Sequence, residues 1–249
     1  MQSMQDFAYS HGSVPLRGVL CGEVARELQP GVVVFHDAMG LGDHVIERAR
    51  RLAALGYLAL AADLYGDRIQ PRDSAHALEL LAGLRNDPAL WRARAAAAFE
   101  ALRAFPGVDS TRMAAIGFCF GGSTALELAR SGAPLAATVC FHGGLDTAQP
   151  ARRGAIRGSV LVCTGSADPR VPLAQVHAFL DEMAATIVDC EVTVHAGVQH
   201  SFTNQAANGL PGMAYDARAD RRSWAAMRAL FDETLGGVVA AATLPSFAR

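Results

Sequence analysis

Short, continuous apolar runs alternate along this chain with longer stretches whose apolar residues recur every three or four positions. Val32-Val33-Val34-Phe35, Tyr57–Ala62, Met113–Ile116, Leu135–Phe141 and Val160–Cys163 predict strands, several of them buried on both faces. Cys190–His195 predicts one more strand, and residues 7–21 alternate weakly, as an edge hairpin would. Between these runs the period changes. Val45, Ile46, Ala49, Leu52 and Ala53 share one helical face that closes at Gly56. Ala75–Leu84 is helical in composition, and Asn86-Asp87-Pro88 reads as a cap with proline at the first position of a helix reaching about residue 104. Gly121–Ala129 predicts a helix, as do the segment with Leu173, Val176, Leu180 and Met183 on one face and the segment carrying Trp224, Met227 and Phe231.

Strands alternating with helices imply the α/β class, with a mostly parallel central sheet and helices on both faces. No internal repeat, low-complexity tract or linker interrupts the pattern, so one domain over residues 1–249 is expected. Composition agrees. Hydrophobic residues make up 51% of the 249 and charged ones 18%, which supplies one large core and excludes the disordered class.

A net charge of −2 without Lys/Arg runs argues against nucleic acid or an anionic membrane as partner. No stretch reaches the ~18 apolar residues of a spanning helix. The first residues show neither a basic nor an apolar signal region, and the five cysteines form no CxxC pair. A cytoplasmic protein with reduced thiols is therefore expected, without structural disulfides or zinc.

Gly117-Phe118-Cys119-Phe120-Gly121 has the spacing of a nucleophile elbow with cysteine at its centre. Such a turn holds the sulfur above the sheet, at a helix N-terminus that favours a thiolate. Ligand sites in parallel sheets lie beyond the carboxyl ends of the strands, which singles out loops 36–42, 117–122, 164–172 and 196–204. A thiol nucleophile needs a base, and the base an acid to fix its tautomer, in the chain order nucleophile, acid, base. Asp168 and His200 fall in that order. Asp168 could instead cap a turn before Pro169, and Asp146 is its rival as acid. His195 rivals His200 but continues the Val192/Val194 strand and would sit on the sheet. His11, His44, His76 and His177 read as solvated.

An oxyanion hole would take one N–H from Phe120 and a second from Ala38. Asp37 would then lie near the sulfur, where a carboxylate disfavours the thiolate; its other reading is loop hydrogen bonding. Phe118, His142 and Phe202 are further expected pocket residues beside Asp37. A metal site from His36, Asp37 and His44 would have to converge from one loop, so no metal is expected.

Val32–Leu41, Ala62-Asp63-Leu64-Tyr65-Gly66, Gly117–Gly122, Gly165-Ser166-Ala167-Asp168-Pro169 and His200-Ser201-Phe202 together resemble the dienelactone hydrolase family, the cysteine branch of the α/β-hydrolase fold. The resemblance implies a Cys119–His200–Asp168 triad, hydrolysis of a lactone or activated ester, no cofactor, and a monomer or homodimer acting on a small molecule. Two departures are visible. Family members hold a substrate carboxylate with arginines, one shortly after the catalytic histidine, whereas here Thr203-Asn204-Gln205 follows; Arg68, Arg72 and Arg85 are the possible substitutes. The acid of the oxyanion loop is usually glutamate, and Asp37 is shorter. Two readings from other classes stand beside this one: a non-catalytic binding protein on the same scaffold, and a redox-responsive thiol protein.

Overall fold

The computed structural model describes residues 3–236; the expected domain of 1–249 extends beyond them at both ends. The elements follow the predicted alternation: β1 (Met4–His11), β2 (Val14–Cys21), β3 (Gln29–Phe35), α1 (Asp43–Ala53), β4 (Leu58–Ala62), α2 (Ser74–Arg85), α3 (Pro88–Arg103), β5 (Val108–Phe118), α4 (Phe120–Arg130), β6 (Ala137–Phe141), β7 (Ser159–Gly165), α5 (Leu173–Thr186), β8 (Cys190–His195) and α6 (Ala217–Thr234). The described strands form one sheet in the order β1-β2-β4-β3-β5-β6-β7-β8, antiparallel at β1–β2 and β2–β4 and parallel from β4 to β8. This is the α/β-hydrolase fold.

Strand β3 shows why apolar runs without alternation belong in the middle of such a sheet. Val33 and Phe35 face a core built with Trp91, Phe99, Leu126 and Phe179 of α3, α4 and α5. Val32 and Val34 face a second core built with Val45, Leu52, Trp224 and Phe231 of α1 and α6. Each fully buried side chain of this size contributes about 1.5–3 kcal/mol, so a polar residue on either face would be costly. Two helix starts follow the capping chemistry: Asp73 accepts from the His76 N–H, and Asp87 from the Leu90 N–H ahead of Pro88.

Helix α5 departs from the expected face. Val176, Phe179 and Met183 are buried, while Leu173 and Leu180 stay in solvent. Phe179 packs under the Arg130 guanidinium and sets the helix rotation, a tertiary contact invisible in the apolar period. Arg48 of α1 is likewise buried on the apolar face, paired with Asp220 of α6 at 2.9 Å.

The chain reverses its lateral direction at β3, which lies between β4 and β5. The loops leaving β3 and β5 therefore emerge side by side, opening a crevice at the carboxyl ends of the strands.

Candidate active site

The turn from β5 into α4 holds Cys119 at φ +53°, in the region normally left to glycine. Its flanking glycines are steric necessities. A Cβ on Gly117 would meet the Gly121 carbonyl oxygen at 1.9 Å, and one on Gly121 would meet the Phe35 carbonyl oxygen at 2.2 Å. With both absent the turn packs against the end of β3, and the half-exposed Cys119 stands at the N-terminus of α4. The other four thiols are pushed up by burial, Cys21 to about 11 and Cys140, Cys163 and Cys190 to about 12. Thiols that stay protonated are poor nucleophiles.

The loops after β7 and β8 bring two more groups to the sulfur. His200 Nε2 lies 3.1 Å from Cys119 Sγ, and His200 Nδ1 lies 2.7 Å from Asp168 Oδ2. Both residues are buried. The two loops interlock: the Ala167 N–H donates to the Val198 carbonyl, and His200 is pinned from behind by bonds with Gly212 and Ala214. Burial by itself would push the His200 imidazole down. Its hydrogen bond to Asp168, with further help from Cys119, outweighs that and raises it to about 9.

Asp168 also accepts the Arg170 N–H at 2.8 Å, so the capping role weighed for it coexists with the contact to His200. The rival acid Asp146 bonds Arg85 and Gln175 instead. His195 sits on the sheet, its Nε2 2.8 Å from Ser223 Oγ.

The loop after β3 is fixed from several sides. The His36 Nδ1–H donates to the Asp37 carbonyl at 2.6 Å, and His36 Nε2 accepts the Leu64 N–H, which sets the tautomer. The Tyr65 hydroxyl donates to the Ala38 carbonyl at 3.0 Å. Asp63 holds Tyr65 in place by accepting four backbone N–H groups, from Arg17, Tyr65, Gly66 and Arg68. Asp37 Oδ1 accepts the Met39 N–H at 2.8 Å, and burial raises its carboxyl above the usual range. Among the described residues, the N–H groups of Ala38 and Phe120 have no acceptor.

A cavity of about 270 Å³ opens over the sulfur, lined by Asp37, Ala38, Met39 and Cys119 together with Ser74, Ala77 and Leu78 of α2. Arg170, Ser201, Asn204, Leu210 and Met213 complete its far wall. Helix α2, expected from the helical composition of Ala75–Leu84, thus helps to cover the pocket. A larger cavity of about 670 Å³ adjoins it across Asp37, Met39, Asn204 and Ala206 and reaches His44, Arg48 and Arg51.

The expected pocket residues divide. Asp37 lines the cavity, whereas Phe118, His142 and Phe202 are buried beneath it. Phe118 stacks on Phe141 at 4.9 Å with the Arg48 guanidinium over its ring, and Phe202 packs edge-on against His142 and His195. Strand pleat and the direction of the His200 loop turn these rings inward. His44 is mostly buried against Phe118, not solvated as expected. None of the three arginines offered as substitutes lines the cavity. Arg68 bonds Asp6, and Arg85 bonds Asp146. The cation that does line it is Arg170, two residues past Asp168 and without a carboxylate partner among the described residues. Its place in the loop after β7 was the available signal. Tyr65 had none, since its role is a hydroxyl reaching another loop. No three His, Cys, Asp or Glu side chains among the described residues converge to hold a metal ion.

The chain is similar to known proteins over most of its length. The family model described as "Dienelactone hydrolase family" matches residues 16–235. A dienelactone hydrolase-like promiscuous phosphotriesterase from metagenomic libraries has a solved structure 47% identical in sequence, with a TM-score of 0.88, covering 94% of this chain and 98% of that one. An uncharacterised Caenorhabditis elegans protein is 36% identical over 137 residues, covering 53% of this chain and 87% of the relative. A Salmonella typhimurium protein provisionally named a carboxymethylenebutenolidase is 28% identical over 218 residues, covering 80% of this chain and 75% of its own length. No described helix is long and apolar enough to cross a membrane.

Proposed function

The chain belongs to the dienelactone hydrolase family and is a hydrolase of the lactone and ester type, and on that footing we propose that it cleaves its substrate through a Cys119–His200–Asp168 triad and an acyl-thioester intermediate. The observation that supports this most is the pair of contacts on one imidazole, 3.1 Å to the sulfur and 2.7 Å to the carboxylate.

In this mechanism Asp168 holds the Nδ1–H of His200, leaving Nε2 to take the Cys119 proton. The sulfur attacks the carbonyl carbon, and the carbonyl π electrons move to oxygen. That oxyanion is received by the Phe120 and Ala38 N–H groups. Collapse expels the alcohol or enol, which takes the proton from His200 Nε2. Water then gives a proton to His200 and its hydroxide to the thioester carbon, releasing the acid and returning the thiol. Thiolate leaves more readily than alkoxide, so the tetrahedral intermediate reverts unless the substrate's own leaving group is good. Enol lactones and activated esters are therefore preferred over amides. No cofactor enters any step, and the partner is a small molecule.

Phosphotriesters form a second substrate class, favoured by the 47% identity to a protein described as a promiscuous phosphotriesterase. The test is a panel of aryl esters, enol lactones and aryl phosphotriesters, the carboxylic substrates with and without a free carboxylate because Arg170 lines the cavity. Wild type, Cys119→Ala and Cys119→Ser are compared on each. Turnover of p-nitrophenyl acetate by Cys119→Ala at the wild-type rate would remove Cys119 from the mechanism, and no turnover of any substrate by wild type would favour a binding protein.

A further inference from the structure

His142 is a buried histidine beside the sulfur that the mechanism above does not use. It follows β6 directly, at φ +43°, with its ring fully enclosed. The Cys119 N–H donates to its Nδ1 at 3.1 Å, sharing its hydrogen with the Phe141 carbonyl at 3.0 Å. A nitrogen that accepts carries no proton, so the ring's one hydrogen is on Nε2, 2.8 Å from Thr203 Oγ1. Thr203 is left to direct its own hydrogen to His44 Nε2 at 3.4 Å. The His44 hydrogen then lies on Nδ1, facing Asp37 Oδ2 at 3.9 Å. One chain of consistent polarity thus runs from the backbone of the nucleophile through the loop of the base to His44, whose Nδ1 has no hydrogen-bond partner among the described residues.

We infer that His142 is a positioning residue: its imidazole braces the Cys119 backbone against Thr203, three residues past His200, and so holds sulfur and base at their working separation. This rests on the triad reading. The ring must be neutral, because a proton on Nδ1 would displace the Cys119 N–H. Its surroundings enforce that state. Burial, the edge-on His200 ring 5.2 Å away, His44 and the Arg48 guanidinium all oppose a positive charge there.

The experiment compares wild type with Thr203→Val, Thr203→Ser, His142→Asn and the His142→Asn/Thr203→Val double variant. Asparagine tolerates the left-handed backbone and keeps an acceptor for Cys119. Two readouts are taken: the pH profile of iodoacetamide alkylation at Cys119, and kcat and KM for p-nitrophenyl acetate per acylated site. Wild type should alkylate rapidly well below pH ~8.5. Thr203→Val should shift that profile upward toward an ordinary thiol and lower kcat about tenfold, with KM held within about twofold. Thr203→Ser should restore both readouts, and the double variant should be no worse than Thr203→Val alone, as expected for groups acting as one unit. A folded Thr203→Val with the wild-type profile and kcat would overturn the brace, even if His142→Asn fails to fold. A wild-type profile like that of a free thiol would instead overturn the triad on which the brace depends.

Discussion

Tyr65 donates its hydroxyl hydrogen to the carbonyl of Ala38 at 3.0 Å. The bond ties the loop after β4 to the loop after β3, at the residue whose N–H would receive the oxyanion. Removing it leaves the fold intact but loosens one wall of the site. A single neutral hydrogen bond contributes about 1 kcal/mol, roughly fivefold in rate if it is felt in the transition state. Tyr65→Phe should therefore lower kcat by about that factor with KM nearly unchanged, read by steady-state kinetics on an aryl ester.

Cys119→Ala should cost three or more orders of magnitude in kcat/KM while leaving thermal unfolding close to wild type, because the side chain is half-exposed and caps nothing. Rates on p-nitrophenyl acetate and a melting curve on the same sample check both halves.

His200 is raised to about 9, above its ordinary value of 6.5, through Asp168 and Cys119. A raised histidine stabilises the fold fully below its unfolded value and loses that contribution as pH climbs through the folded one. Asp168→Asn removes the charge-assisted bond, so it should be less stable than wild type near pH 6, with the gap closing between about 6.5 and 9. Urea unfolding at pH 6 and pH 9.5 measures the gap. The imidazole midpoint, followed by NMR, should fall in the variant.

Gly121→Ala would place a methyl 2.2 Å from the Phe35 carbonyl oxygen, backbone that no rotamer change relieves. A loss of roughly 3 kcal/mol or more is expected, seen as a lowered urea midpoint or as failure to accumulate folded protein.

Arg48 and Asp220 form a buried pair at 2.9 Å, and Arg48 Nη2 also donates to the Thr203 carbonyl at 2.5 Å. Arg48→Met would strand the Asp220 charge and cost about 3–5 kcal/mol. Asp220→Asn in the same chain should recover part of that. A urea-unfolding cycle over the two positions gives the coupling.

Much of this was legible from residue order. The runs of the sequence located six of the eight described strands, and the weak alternation of residues 7–21 located the hairpin of the other two; the central strands stand out because a strand buried on both faces is apolar throughout. Cys119, Asp168 and His200 could be picked out because each follows a strand, and strand ends converge in a parallel sheet. The pocket residues could not be read in the same way. Phe118, next to Cys119, turns inward because successive side chains on a strand leave it on opposite faces, and Phe202, two positions past His200, is buried from within a turn. Leu210 and Met213 line the cavity because the segment after His200 folds back beside it.

Local rules governed whatever depended on period, capping and glycine clearance: the layered α/β order, the bend at Cys119, and the loops able to carry its partners. Distances between loops far apart in the chain depended on packing. The 3.1 Å from sulfur to imidazole spans 81 positions, and the His142–Thr203 contact spans 61. Hydrophobic period says which face of an element is buried and nothing about which partner it meets, so hydrogen bonds between loops come into being only when the sheet and its two cores set their separation.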